Sequence, residues 1–174
     1  MAVFYFIRHG KTDYSERNEK VYQGFGVQLA PLSEQGIEEI RSTAKDERLR
    51  GVSIILSSPY TRAAQTAAIL SKELQADIMI ETDLHEWLAN KAYIYEDEQS
   101  TEKNYLEFVK NNGVYPAGEN LDWEDMSAMR SRVFPILEKY KHYPKVAVAC
   151  HGLLIRAVCG GSLVKNGEIV TFEY

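Results

Sequence analysis

Two histidines follow apolar runs that are typical of buried strands, and a glycine comes directly after each histidine. His9 follows the run Val-Phe-Tyr-Phe-Ile and Arg8, and His151 follows the run Val-Ala-Val-Ala-Cys. A neutral imidazole has one ring nitrogen with a lone pair, so it can act as a nucleophile or carry a proton near neutral pH. Ligands of parallel α/β sheets bind outside the carboxyl ends of the strands, and we therefore expect both rings to face one crevice.

A third apolar run ends in Ser-Ser-Pro-Tyr-Thr-Arg, which places Arg62 in the first turn of a predicted helix. The N–H groups and the dipole of a helix start favour an anion there. Arg8, Arg62 and the two histidines are therefore expected to form a small cationic pocket. Each residue also has a structural interpretation, such as a turn for His-Gly or a surface ion pair for Arg62. The coincidence of three strand ends at one edge favours a functional site.

The elements that must position these residues alternate between strands and helices. Strands are predicted at residues 3–7, 52–56, 76–82 and 146–150, with an edge strand at 168–174. One helix is predicted after Ser33 as its N-cap, and another with Ser58 as its N-cap and Pro59 in its first position. A helix from about 122 to 142 is predicted to be interrupted near Pro135. This order predicts an α/β fold: a three-layer α/β/α sandwich with a mostly parallel central sheet.

Length and composition limit the classes of protein that the chain can belong to. Its 174 residues fit a single domain, in which residues from about 87 to 125 form a polar, aromatic-rich excursion that we expect to act as a cap over a pocket. A formal charge of -5 argues against nucleic acid or an anionic membrane as a partner. The N-terminus has no basic region before its apolar run, and no apolar run is long enough to cross a bilayer, so we expect a cytoplasmic protein. Two cysteines without a CxxC motif disfavour both a disulfide framework and a zinc site.

Five motifs resemble those of the histidine phosphatase superfamily, also called the phosphoglycerate mutase-like family, and they occur in the same order. They are Phe-Ile-Arg-His-Gly-Lys-Thr at residues 6–12, Pro-Leu-Ser-Glu-Gln-Gly at 31–36, Leu-Ser-Ser-Pro-Tyr-Thr-Arg-Ala-Ala-Gln-Thr-Ala at 56–67, Gly-Glu-Asn at 118–120 and Val-Ala-Cys-His-Gly at 148–152. The Arg-His-Gly triplet is weak by itself, but together with the run at 56–67 it is strongly specific. The likeness spans most of the chain and implies the phosphoglycerate mutase-like fold.

The resemblance implies a phosphatase that needs no metal ion or other cofactor. In this interpretation His9 is the nucleophile that receives the phosphoryl group, and water then hydrolyses the phosphohistidine. Arg8, Arg62 and His151 supply positive charge and hydrogen bonds to the phosphoryl oxygens, and Gly152 belongs to the same phosphate-binding set. The sequence thus predicts a catalytic site that is built from side chains alone.

The remaining roles that the resemblance implies are less firmly placed in the sequence. Glu86, in a Leu-x-Glu motif, is the candidate general acid and later base, and Asp83 competes with it for that role. Ser15 is a candidate phosphate ligand at a position where many members carry asparagine. Lys11 stands where a glutamate or glutamine is usual, and Leu29 where many members have an aspartate. These departures weaken any transfer of substrate identity from the family.

Charge favours a phosphatase over a mutase. Residues 87–125 contain three lysines and nine acidic residues, which would receive a bisphosphorylated acid poorly. The expected reaction is hydrolysis of a phosphomonoester, and the expected partner is a small phosphorylated metabolite or a phosphorylated protein side chain. Two alternatives stay open: phosphoglycerate mutase-type phosphoryl transfer, and a catalytically weak phosphate-binding or regulatory protein on the same scaffold. A homodimer also stays open. Two further histidines, His85 and His142, are predicted to be solvated.

Overall fold

The computed structural model describes residues 1–16 and 26–174 of the chain. Its five strands are β1 (Val3–Arg8), β2 (Ile54–Ser57), β3 (Asp77–Ile80), β4 (Lys145–Cys150) and β5 (Ile169–Glu173). Its helices are α1 (Gly26–Leu29), α2 (Glu34–Thr43), α3 (Thr61–Leu74), α4 (Glu98–Lys110), α5 (Met126–Tyr140) and α6 (Gly152–Cys159). The strands form one sheet in the order β3-β2-β4-β1-β5.

The sheet is parallel except for β5, which pairs antiparallel with β1 at one edge. The central strand β4 pairs with β1 on one side and β2 on the other, with Arg8 opposite Cys150 and Ser57 opposite Ala149. The carboxyl ends of these three strands are therefore level. The residues that follow them emerge at the same edge, as the sequence predicts for His9 and His151.

Side chains alternate between the two faces of the sheet, and each face packs against its own helices. Phe4 and Phe6 belong to a buried cluster with residues of α5 and α6, whereas Tyr5 and Ile7 belong to a cluster with residues of α2 and α3. A strand that is buried on both faces reads as a continuous apolar run, which explains why the strands could be recognised in the sequence. The predicted α/β/α sandwich is confirmed.

The connection from β2 to α3 differs from the prediction. The helix begins at Thr61 with Tyr60 as its N-cap residue, and no side chain bonds to its first N–H groups as a cap. The Ser58 hydroxyl instead lies 2.8 Å from Nε2 of His151 and accepts a weaker hydrogen bond from the Tyr60 N–H at 3.3 Å. The N-cap assignment was wrong because this serine bonds to a ring on a neighbouring strand end.

Helix α5 runs through Pro135 without the predicted interruption. Asp125 caps its start, and the Asp125 side chain accepts a hydrogen bond from the Ala128 N–H at 2.7 Å. The proline removes one helical hydrogen bond, but Val133 and Leu137 on either side of it are fully buried in the core. Packing against the sheet therefore keeps the helix continuous.

The polar excursion at residues 87–125 contains α4 and is attached to the core through aromatic rings. Phe108 and Trp123 are fully buried, and their ring centres lie 5.4 Å apart in an edge-to-face arrangement. Asp97 caps α4 through a hydrogen bond from the Ser100 N–H at 2.7 Å. Among the described residues, no helix is both long and apolar enough to cross a membrane.

The loop after β1 is pressed against the start of α2 where two glycines meet. A Cβ atom on Gly10 would lie 2.3 Å from the carbonyl oxygen of Gly36, and one on Gly36 would lie 2.2 Å from that of Lys11. No real Cβ contact is this short, so both positions require glycine. This contact fixes the backbone that follows His9.

Candidate active site

His9 lies at the end of β1 with a defined tautomer. Its Nδ1 atom is 2.8 Å from the carbonyl oxygen of Gly10, and because a carbonyl can only accept, Nδ1 must donate. The other ring nitrogen, Nε2, then has a lone pair, to which Nε of Arg62 donates at 3.2 Å. Burial, then the charges of Arg62 and Arg8, lower the pKa of His9 to about 3, against the opposing effect of the Gly10 bond. The ring is therefore neutral at physiological pH and has the form that a nucleophile requires.

Arg62 is held in the first turn of α3 by contacts on several sides. Its Nη1 atom donates to the Val27 carbonyl oxygen at 3.1 Å, and its guanidinium carbon lies 5.0 Å from the centre of the Tyr60 ring. Thr66, one helical turn further along, donates to the Arg62 carbonyl at 2.8 Å and accepts from the Gly10 N–H at 3.3 Å. These contacts place the buried guanidinium beside Nε2 of His9.

His151 is fully buried at the end of β4, and its ring centre lies 5.3 Å from that of His9. Its Nε2 is 2.8 Å from the Ser58 hydroxyl, and its buried Nδ1 has no partner among the described residues. Burial lowers the pKa of His151 well below its usual value, and the neighbouring Arg62 and His9 act in the same direction. The neutral ring can donate or accept one hydrogen bond at Nδ1.

Arg8 reaches the same pocket across the start of α6. Its Nη1 donates to the carbonyl oxygen of Val164 at 2.6 Å, while its buried Nε has no partner among the described residues. A Cβ atom on Gly152 would lie 3.3 Å from Nε of Arg8 and 3.0 Å from a methyl group of Leu163. Glycine at position 152 thus leaves room for the guanidinium close to the helix backbone.

Glu86 lies against the N-terminus of α6. Its Oε1 accepts hydrogen bonds from the N–H groups of Trp87 at 2.9 Å and Leu154 at 3.3 Å. Burial raises the pKa of Glu86 despite the opposing effects of these hydrogen bonds and of Arg62. Asp83 is exposed in a 3₁₀ turn at Thr82–Leu84. Of the two candidates for the general acid, the structure brings Glu86 to the pocket and leaves Asp83 on the surface.

The structure does not bring Ser15 to this group of residues. In the described part of the chain, Ser15 is exposed, and its N–H donates to the carboxylate of Asp13 at 2.9 Å. Lys11 is also directed elsewhere, because its Nζ donates to the Gln35 side chain at 2.9 Å. The phosphate-binding role expected for Ser15 is therefore not supported by its position, which is set by a surface loop rather than by the sheet.

A buried ion pair beside Glu86 was not recognised in the sequence. Arg132 of α5 donates from Nε to Oε1 of Glu124 at 2.6 Å and from Nη2 to Oε2 at 3.0 Å, and it also donates to the Glu86 carbonyl at 3.4 Å. Glu119, which the motif at 118–120 singled out, is exposed. The sequence carries no helical spacing that signals this pair, because Glu124 precedes the N-cap of α5 and Arg132 lies in its second turn.

His85 was predicted to be solvated, and that prediction is wrong. Its side chain is only 4% exposed, and its Nδ1 lies 2.7 Å from the carbonyl oxygen of Glu86. The rings of Tyr60 and Tyr93 lie beside it, with centres 6.4 and 6.0 Å away. Polar neighbours in the sequence did not reveal these aromatic neighbours in space. His142, by contrast, is exposed as predicted.

Comparison with known proteins agrees with the motifs. The profile of the histidine phosphatase superfamily (branch 1) matches residues 4–169. A relative in Hydrogenobacter thermophilus, named putative phosphoserine phosphatase 2, is 26% identical over 164 residues, which cover 91% of this chain and 77% of the relative. Two solved structures share the fold. One is a mycobacterial glucosyl-3-phosphoglycerate phosphatase with VO3 (TM-score 0.71, 18% identity, covering 98% of this chain and 90% of that one). The other is a phosphoglycerate mutase from Bacillus anthracis (TM-score 0.70, 22% identity, covering 98% and 86%).

Proposed function

The chain belongs to the histidine phosphatase superfamily, and we propose that it is a metal-independent phosphatase that hydrolyses a phosphomonoester through a phosphohistidine on His9. The observation that carries this proposal is the 2.8 Å hydrogen bond from Nδ1 of His9 to the Gly10 carbonyl. This bond commits the ring proton to Nδ1 and leaves the lone pair on Nε2, which becomes free to attack when Nε of Arg62 gives up its hydrogen bond there in favour of a phosphoryl oxygen. A neutral ring with an oriented lone pair is what attack on phosphorus requires.

In the first step, Nε2 of His9 attacks phosphorus, a P–N bond forms and the P–O bond to the leaving group breaks. The leaving oxygen takes the proton of the Glu86 carboxyl group, whose raised pKa favours the protonated form. Arg8, Arg62 and Nδ1 of His151 would donate to the phosphoryl oxygens, which carry the charge of the transition state. Side chains thus supply the positive charge for this step.

In the second step, the Glu86 carboxylate takes a proton from water while the water oxygen attacks phosphorus. The P–N bond breaks, inorganic phosphate leaves, and the electron pair of that bond returns to Nε2 of His9. The carboxyl group that gave up a proton in the first step regains one in the second, so the enzyme ends in its starting state. One residue can therefore serve as acid and then as base.

The charges of the excursion favour hydrolysis over mutase-type transfer, in which the phosphoryl group returns to the substrate and the site must hold a bisphosphorylated acid. Of its three lysines, Lys91 bonds to the Tyr115 hydroxyl at 3.3 Å and to the carbonyl of Leu121, so its charge is committed within the excursion. Lys103 and Lys110 lie exposed on α4. The named relatives include phosphatases and a mutase. The second candidate, a mutase, would need these cations to face the pocket.

The proposal is tested by phosphate release from a small aryl phosphate in the presence of a chelator. We expect turnover by the unmodified protein and by His142→Ala, which removes an exposed histidine, and no turnover by His9→Ala. Loss of activity in the chelator alone would contradict metal independence. Undiminished activity of His9→Ala would contradict the phosphohistidine route, and no release by any of the three proteins would favour the mutase or a binding protein.

A further inference from the structure

Three buried polar side-chain atoms lack a hydrogen-bond partner among the described residues, and all three belong to side chains of the candidate active site or of the rings that pack against it. Two of them, Nε of Arg8 and Nδ1 of His151, belong to the proposed phosphoryl site. The third is Nε2 of His85, which the mechanism does not use. Buried polar groups are nearly always paired, so an unpaired one beside a catalytic pocket indicates a place for a ligand atom.

The tautomer of His85 determines what kind of atom it would bind. Its Nδ1 is 2.7 Å from the carbonyl oxygen of Glu86, which can only accept, so the ring proton is on Nδ1. The pKa of His85 is lowered by burial and by Arg132, against the opposing effects of its backbone bond and of Glu124 and Asp83. The neutral ring therefore presents Nε2 as a hydrogen-bond acceptor.

His85 lies on the far side of the pocket from the nucleophile. Four successive ring contacts lead from His9 to His151, Tyr60, His85 and Tyr93, with centre-to-centre distances of 5.3, 5.2, 6.4 and 6.0 Å. Its neighbour in the chain is the candidate acid, which must meet the leaving oxygen. The His85 ring therefore lies between two aromatic rings, and it is next in the chain to the residue that would meet the leaving oxygen.

Tyr93 packs against His85 and is largely exposed. Its backbone has a φ of +59°, in the left-handed region that is unfavourable for a bulky residue, and its side chain is 71% exposed. Backbone strain of this kind concentrates at ligand-binding positions. An exposed ring can change rotamer without disturbing the core, which would open the way from solvent to Nε2 of His85.

We propose that Nε2 of His85 accepts a hydrogen bond from a hydroxyl group on the leaving group, held between the rings of Tyr60 and Tyr93. This inference rests on the proposed phosphatase function and names its substrate class, the phosphomonoesters of polyols or sugars. A carboxylate in the same place would meet a second acceptor and be rejected. An ammonium group could donate to Nε2, but Arg132, whose Nη2 donates to the same Glu86 carbonyl oxygen as Nδ1 of His85, opposes a second cation there.

Three substrates with the same carbon chain test the proposal: n-propyl phosphate, sn-glycerol 3-phosphate and 3-phosphoglycerate. We expect kcat/KM of the unmodified protein for the glycerol ester to exceed that for the propyl ester about tenfold, as one well-formed hydrogen bond provides. The kcat/KM for 3-phosphoglycerate, which carries a carboxylate, should fall below the values for both other esters. Phosphoethanolamine serves as the ammonium probe, and a His85-dependent preference for it over the glycerol ester would overturn the hydroxyl assignment.

The informative variant is His85→Asn, because the asparagine amide can still donate to the Glu86 carbonyl but has no atom in the place of Nε2. We expect the ratio of kcat/KM for the glycerol and propyl esters to fall to within about twofold of one, since one hydrogen bond is lost. His142→Asn is the matched control, since Nδ1 of that exposed ring also lies 3.1 Å from a backbone carbonyl. A ratio in His85→Asn equal to that of the unmodified protein would overturn the proposal, because a merely structural histidine affects both esters alike.

Failure of the subsite and failure of the proposed function are distinguishable. If the aryl phosphate is not hydrolysed, the proposed function fails, and calorimetric titration of the glycerol and propyl esters then tests the subsite by binding alone. About tenfold tighter binding of the glycerol ester, lost in His85→Asn, would still support the subsite. Equal affinities for both esters in the unmodified protein would overturn it.

Discussion

Burial shifts the pKa values of His9 and Glu86 in opposite directions, and both shifts suit the roles that we propose for these residues. A buried site penalises the charged form of each group, so the pKa of His9 falls to about 3 while the pKa of Glu86 rises. Near neutral pH the imidazole of His9 therefore has a free lone pair, and the raised pKa of Glu86 favours the protonated carboxyl group. Pairs of titratable groups whose environments separate them in this way identify nucleophile and acid.

Replacement of Glu86 should separate substrates by the quality of their leaving group. For Glu86→Gln we expect kcat on an alkyl phosphomonoester to fall by about 10²-fold or more, because the alkoxide then leaves without a proton. Formation of the phosphoenzyme from an aryl phosphate should change much less, as measured by the burst of released phenol. Asp83→Asn, on the exposed turn nearby, is the control and should leave both rates near those of the unmodified protein. Equal losses in the two Glu86→Gln measurements would contradict the role of Glu86 as acid.

The dependence of kcat on pH should show the titration of the Glu86 carboxyl group. The protonated form is the active one in the first step, and the raised pKa of Glu86 extends that form upward in pH. We therefore expect kcat for the alkyl ester to fall as pH rises through this pKa, and phosphoenzyme formation from the aryl ester to lack that fall. Stopped-flow measurements of both esters across acidic to alkaline pH check this. An alkaline fall of the same size for both esters would show that another group titrates.

The sequence predicted the site best where strand register positions the residues. His9, Arg62 and His151 could be brought together from the sequence because β1, β2 and β4 are parallel and end level. Residues that loops position could not be predicted in this way. Ser15 was expected in the pocket and lies on the surface, whereas His85 was expected in solvent and is buried, since no register relation links either one to the sheet.

The segment that holds Glu86 is neither helix nor strand, so contacts with Arg132 of helix α5 keep it in position. Arg132 of α5 pairs with Glu124, and both side chains are largely buried, at 12% and 5% exposure. Arg132 also donates to the Glu86 carbonyl at 3.4 Å, which joins α5 to the segment that holds Glu86. Arg132→Met should lower the free energy of unfolding by about 3 kcal/mol, since it leaves a buried carboxylate unpaired. Urea unfolding measures the loss, and kcat on an alkyl ester should fall with it because Glu86 loses its support.

A second variant separates the pair from the helix that carries it. Glu124→Gln combined with Arg132→Met removes both charges, and we expect it to recover most of the stability that Arg132→Met loses. If the double variant is as unstable as the single one, packing of α5 rather than the unpaired charge is responsible.

Helix α5 itself was predicted with too early a start and a break at Pro135, because its continuity depends on packing that the local sequence does not contain.

For the molecule as a whole, the buried neutral histidines make stability depend on pH. The pKa values of His9, His85 and His151 are all lowered, so the unfolded chain binds protons at a pH where the native state does not. Their contribution is complete above the ordinary histidine pKa of about 6.5 and is lost as pH falls toward the native values. The raised pKa of Glu86 has the opposite effect on the pH dependence of stability, but it is one group against the three histidines.

Acid should therefore destabilise the protein before its exposed carboxylates titrate. Between pH 7.5 and pH 5, His9 alone should account for a loss of about 2 kcal/mol in the free energy of unfolding, given its ordinary pKa. Urea unfolding at the two pH values should show a smaller loss in His9→Asn, by about that amount, and the same loss in the exposed control His142→Asn. An equal loss in His9→Asn and the unmodified protein would mean that His9 is not held neutral in the native state.

The central claim is that the phosphoryl group passes through Nε2 of His9, and trapping it there is the most direct test. In Glu86→Gln, an aryl phosphate can still form the phosphoenzyme, but water lacks its base, so the intermediate should accumulate. Mass spectrometry after rapid mixing and alkaline quench, which preserves phosphohistidine, should find one phosphoryl group per chain, on the peptide that contains His9. In the double variant His9→Ala/Glu86→Gln it should find none. Release of phosphate by the unmodified protein without any label on His9 in Glu86→Gln, or a label on another residue, would contradict the account.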